Sequence, residues 1–95
     1  MKVYHATTEK NWKEIQKDKI LWGRKNKRNS SGKLMSRVTY LALKKEDAHY
    51  DFTNKKREVL LEVEIPAGQY PGDHWQIRFY ESIPVTQVKR INMPD

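Results

Sequence analysis

The chain of 95 residues contains no cysteine, which excludes disulfides, a thiolate metal site and a cysteine nucleophile. A reducing, cytoplasmic setting fits that lack. No apolar run approaches the roughly 20 residues of a membrane-spanning helix. The sequence enters patterned structure directly at Met1-Lys2-Val3-Tyr4, with no stretch resembling a signal peptide. Acid is in short supply: 12 Asp and Glu face 19 Lys and Arg, for a net charge of +7. Glycine and proline, four of each, are too few for a low-complexity or collagen-like chain. Disorder is also disfavoured, because three Trp, five Tyr and two Phe supply the large groups of a core. The length fits one domain, residues 1–95, and leaves no room for a second.

The positive charge is unevenly placed. Six of the 14 residues from Arg24 to Arg37 are basic (Arg24, Lys25, Lys27, Arg28, Lys33 and Arg37) and none is acidic. This Lys/Asn/Ser/Gly-rich stretch reads as a mobile loop. A second basic patch follows at Lys55-Lys56-Arg57. Such clusters attract nucleic acid or an acidic protein surface, or simply keep a small protein dissolved. The loop from Arg24 to Arg37 has no aromatic to stack on a base, which argues against sequence-specific readout by the loop itself.

Lys2 to His5 reads as a strand, and Thr7 or Thr8 offers the hydroxyl that caps a following helix. That helix carries Trp12 and Ile15 on one face, and Ile20-Leu21-Trp22 leaves it as an apolar exit stopped by Gly23. Val38 to Leu43 reads as a strand and Lys44 to Phe52 as a short helix with Ala48 and Phe52 inward. Glu58 to Ile65 has the clearest alternation: Val59, Leu61, Val63 and Ile65 on one face, Glu58, Leu60, Glu62 and Glu64 on the other. Gln76 to Tyr80 and Val85 to Ile91 read as two more strands, separated by Glu81-Ser82-Ile83-Pro84. Helices early and strands late predict an α+β fold.

Three patterns fall in a fixed order: Val3-Tyr4-His5-Ala6-Thr7-Thr8; then Val38-Thr39-Tyr40-Leu41-Ala42 followed by Glu46-Asp47-Ala48-His49-Tyr50; then Phe79-Tyr80-Glu81-Ser82-Ile83-Pro84. Together they resemble the His-Tyr-Glu signature of the ADP-ribosyltransferase superfamily, over Lys2 to Ile91 apart from the basic loop. The resemblance implies two short packed sheets with one or two helices, and a cleft for NAD as substrate. In it His5 holds a ribose hydroxyl, the Ala6 backbone meets the nicotinamide amide, and Tyr40 and Tyr50 sandwich the cationic nicotinamide. Glu81 binds the 2′-hydroxyl and stabilises the sugar cation as the glycosidic bond opens. The side chains of His5, Tyr40, Tyr50 and Glu81 are then expected in one pocket, with the residues from Arg24 to Arg37 meeting a protein or nucleic-acid target. Nothing in the pattern asks for a metal.

Two departures qualify the match. Ala6 replaces the family's usual glycine, which alters how closely backbone approaches NAD. Phe79 stands two before Glu81, where arginine-modifying members have an acid or amide. Other readings stay open. An RNA 2′-phosphotransferase of the same fold would use His5 with Arg24 and Arg37, and a ribonuclease would use two of His5, His49 and His74. A non-catalytic binding protein needs only the basic face. Residue by residue, His5 also reads as a strand histidine bonded to a backbone carbonyl, Tyr40 and Tyr50 as core edges, and Glu81 as a partner for Arg78 or Lys89. Trp12, Trp22 and Trp75 are expected at the core or its rim, and His49 and His74 in solvent.

Overall fold

A computed structural model describes residues 1–22, 38–48 and 58–92. Among these, seven strands and one longer helix form a small α+β fold. Strand β1 (Lys2–Thr7) leads into helix α1 (Glu9–Asp18) and the short strand β2 (Ile20–Leu21). Then come β3 (Thr39–Ala42), β4 (Val59–Glu64), β5 (Gln76–Phe79), β6 (Ile83–Pro84) and β7 (Val88–Ile91). One sheet has the order β5-β3-β1-β4-β7, and β2 pairs with β6 in a second. Every strand ladder among the described residues is antiparallel. No helix among the described residues is long and apolar enough to cross a membrane.

The alternation in β4 sets the two faces of the large sheet. Across the ladder with β1, Val3 meets Val63, His5 meets Leu61 and Thr7 meets Val59, all on one face. Leu41, Ile77 and Phe79 continue this face on β3 and β5. It is closed by Ile15 of α1, Leu21 of β2 and Ile83 of β6, with Trp12 packed against the cluster. The opposite face carries a smaller cluster of Ala6, Ala42, Ala48 and Leu60, edged by Tyr4 and Ile91.

Helix α1 begins as its sequence predicts. Thr8 has extended backbone, and its hydroxyl accepts from the Asn11 amide at 3.1 Å. It ends at Asp18, before the apolar exit that the sequence marks at Ile20. Lys19 takes the left-handed conformation (φ 61°) and turns the chain, so Ile20-Leu21 becomes a strand, not merely an apolar exit. Two further expectations are corrected. Ile83-Pro84 is not a spacer but β6, with Ile20 opposite Pro84 and Leu21 opposite Ile83. Val85 to Gln87 form a 3₁₀ turn, and the last strand starts only at Val88. The cause is tertiary: the Val85 amide donates to the Lys19 carbonyl at 3.0 Å, which overrides the strand preference of valine. Residues 45–48 are helical, with Ala48 buried as expected; Phe52 lies outside the described residues.

Candidate functional site

The three patterned segments are neighbours in space. His5 is on β1, Tyr40 on the adjacent β3, and Glu81 lies two residues beyond β5, which pairs with β3. His5 and Tyr40, 35 positions apart, are thus on adjacent strands, and Glu81, 41 positions after Tyr40, follows the next strand in the sheet. Strand β3 is the middle member. It is registered with β5 over four positions, Thr39 opposite Phe79 through Ala42 opposite Gln76. With β1 it is registered at one position, Tyr4 opposite Ala42, whereas β1 and β4 are registered over six.

Just past Tyr4, a side chain links β1 to β3. The His5 ring places Nδ1 3.0 Å from the backbone carbonyl oxygen of Tyr40. A carbonyl only accepts, so Nδ1 carries the proton and donates. In the neutral ring this makes Nε2 the acceptor nitrogen, and it fixes the orientation of the imidazole. The plain reading of His5, a strand histidine bonded to a backbone carbonyl, describes this contact. The ring is half-buried.

The pleat separates side chains that the resemblance expects together. His5 shares a face with Leu61, and Tyr40 shares the other with Arg78 and Ala42. The Tyr40 side chain is 49% exposed, so it is no core edge. Ala6 is buried on the Tyr40 face, in the alanine cluster. Glu81 is exposed in the connection from β5 to β6. Among the described residues it makes no ion pair, with Arg78, Lys89 or any other cation. The structure therefore brings the strands together while giving no single face that holds the His5 and Tyr40 rings. Tyr50, His49 and the basic residues Arg24, Lys25, Lys27, Arg28, Lys33 and Arg37 lie outside the described residues.

Of the remaining candidates, His74 is exposed, Trp75 half-buried, and Trp22 at 42% exposure sits at the rim. Two residues went unremarked as site candidates. Arg78 faces Tyr40 across the β3–β5 ladder, and Tyr80 is 45% exposed beside Glu81. The signal was present as alternation through Gln76-Ile77-Arg78-Phe79-Tyr80, which sends Arg78 and Tyr80 away from the core once Ile77 and Phe79 point in. No family model, curated protein or solved structure matches the chain.

Proposed function

We propose that this protein is an NAD-dependent ADP-ribosyltransferase, on an ADP-ribosyltransferase-like form of its α+β fold. The observation that carries the reading is the strand order β5-β3-β1, in which the strand that leads into Glu81 and the strands bearing Tyr40 and His5 are consecutive. The Nδ1–H tautomer of His5 adds chemical support, since an acceptor Nε2 has the polarity to receive a ribose hydroxyl.

In the reaction, the bond from the nicotinamide-ribose C1′ to nitrogen breaks. The electron pair leaves on nicotinamide and neutralises its ring. Glu81 stabilises the positive charge left on the sugar, a role weaker in the ground state than in the transition state. A nucleophile of the target forms the new bond at C1′ and loses its proton. Tyr40 offers an exposed ring for the cationic nicotinamide.

A second reading has its own observation. The division of His5 and Tyr40 between opposite faces favours a non-catalytic binding protein on the same fold. Incubation with NAD labelled in its adenylate half, in cell extract, separates the two. The enzyme reading expects label in a macromolecule, and Glu81→Gln lowering the rate on the order of a hundredfold with melting unchanged. Absence of both NAD binding and label transfer would leave the non-catalytic reading.

A further inference from the structure

We propose that the exposed face of β3 and β5, formed by Tyr40, Arg78 and Tyr80, is a stacking surface for single-stranded nucleic acid. Tyr40 and Arg78 are direct cross-strand partners. The pleat continued one residue past β5 puts Tyr80 on the same side, diagonal to Tyr40. Diagonal neighbours on a sheet are about 7 Å apart, near twice the ~3.4 Å separation of stacked bases. Both rings are about half exposed, at 49% and 45%. Tyrosines that merely filled a core would not be.

Arg78 is exposed between them, and among the described residues it makes no ion pair. Among the described residues its guanidinium is not spent on a carboxylate. Arginine stacks on bases and grips phosphate, and aromatic rings on a sheet face take successive unpaired bases. A duplex hides its base faces, so a flat aromatic surface selects single strands.

The charge of the chain favours a polyanion over an apolar or basic partner, and the exposed rings beside Arg78 favour nucleic acid among polyanions. Residues 24–37 and 55–57 hold nine of the 19 Lys and Arg and none of the 12 acids. These segments join the sheet at Val38 and Glu58, next to Thr39 and Val59. Thr39 is opposite Phe79 and Val59 opposite Thr7, so both junctions are at the sheet end where Tyr80 lies. The surface proposed here consists of Tyr40, Arg78 and Tyr80 alone; the charge carried by these segments draws a polyanion to the chain.

Strand addition is a different mode of binding and is disfavoured here. The outer edge of β5 is already bonded by the chain, with Arg78 N–H donating to the Pro71 carbonyl at 2.7 Å and Asp73 N–H to the Gln76 carbonyl at 2.8 Å. The inference does not depend on NAD chemistry. If that chemistry holds as well, the surface meets the NAD site at Tyr40, and the bound strand is the acceptor.

The test is fluorescence anisotropy without NAD. The probes are labelled oligo-uridine and oligo-thymidine of about 12 nucleotides, within the range one small domain covers, and a duplex of equal length. The parent should prefer the single strands. Tyr80→Ala should weaken binding about tenfold, Tyr80→Phe should retain it, and Arg78→Gln should weaken it more than Lys13→Gln on exposed helix α1. All these side chains are at least partly in solvent, and melting curves verify that each variant folds. The proposal is overturned by any of three results: no oligonucleotide binding by the parent, equal affinity for duplex, or losses in Tyr80→Ala and Arg78→Gln no greater than in Lys13→Gln.

Discussion

The two faces of the large sheet are built from different materials. One face is lined by Val3, Leu41, Val59, Leu61, Val63, Ile77 and Phe79, and is closed by α1 and the β2–β6 pair. The other has Ala6, Ala42 and a single large buried side chain, Leu60, covered by Ala48 from the helical turn, then Tyr40 and Arg78 in solvent and the Glu62–Lys89 pairing further along. Large branched side chains bury much area and hold the fold. Alanines bury little, and they leave room for longer polar and aromatic neighbours. Stability and the proposed binding surface are thus assigned to opposite sides of the same five strands.

The largest expected effect tests the first face. Leu61 is fully buried, opposite His5 on one side and Arg90 on the other. Leu61→Ala should cost about 2–5 kcal/mol through lost transfer energy and a residual cavity. Tyr40→Ala, on the second face, should stay within about 0.5 kcal/mol, as surface substitutions usually do. Denaturant titration of both variants measures the contrast. Equal losses would mean that the second face also carries the fold.

Next in size is Gly72, in the segment that covers the edge of β5. Its φ is 147°, and a Cβ there would collide with the Gln76 carbonyl oxygen and come within 2.7 Å of Ile77 Cα. Both are backbone atoms of β5, which cannot yield without disturbing the ladder with β3. Gly72→Ala should cost about 1–3 kcal/mol, the range of a strained backbone site. The same change should lower oligonucleotide affinity, because β5 carries Arg78. A melting curve like the parent's would show that the segment is only loosely held.

Helix α1 seals the first face, and its cap gives a smaller effect. Thr8→Ala removes the hydroxyl that accepts from Asn11 N–H and should cost about 1 kcal/mol. Thr8→Asp should restore most of it, since a carboxylate at this place also meets the positive end of the helix. Thermal melts of the two variants check the order.

The contrast between faces also explains what the sequence discloses. β4 was readable because it alternates strictly, and α1 because a capping threonine precedes an Ile and Trp three apart. Two-residue strands are different. Ile20-Leu21 and Ile83-Pro84 are too short for a period, and only their mutual pairing makes them strands. Val85 to Gln87 have the composition of a strand and are held as a turn by a bond to Lys19, which no local pattern encodes. For the candidate site, residue types and their order were visible in the sequence. The register was not, and register decides that His5 and Tyr40 point to opposite faces. A shift of one position would have put them together.

The smallest expected effect concerns Arg90, a charge on the face that holds the core. It lies opposite Leu61 on the edge strand β7 and reaches the start of α1. There it forms a two-pronged pair with Glu9, at 2.6 Å and 3.2 Å, between side chains each 45% exposed. Half-exposed pairs contribute modestly, so the coupling energy in a double-mutant cycle should be about 0.5–1 kcal/mol and shrink with salt. The single variants should not be equal. Glu9 occupies the first helical turn, where a negative charge is favoured by the positive end of the helix even without Arg90. Arg90 has the opposite relation to that helix end; Glu9 offsets it by direct pairing, beside the Glu58 carboxylate that accepts from the Glu9 N–H at 2.8 Å. Glu9→Gln therefore leaves a cation facing the positive end of the helix, while Arg90→Gln leaves an anion still well placed. The glutamate variant should lose more stability than the arginine variant, by a few tenths of a kcal/mol. Urea titrations at low and high salt measure the difference. The reverse order would show that the pair matters for covering the apolar wall beside Leu61 more than for its charge.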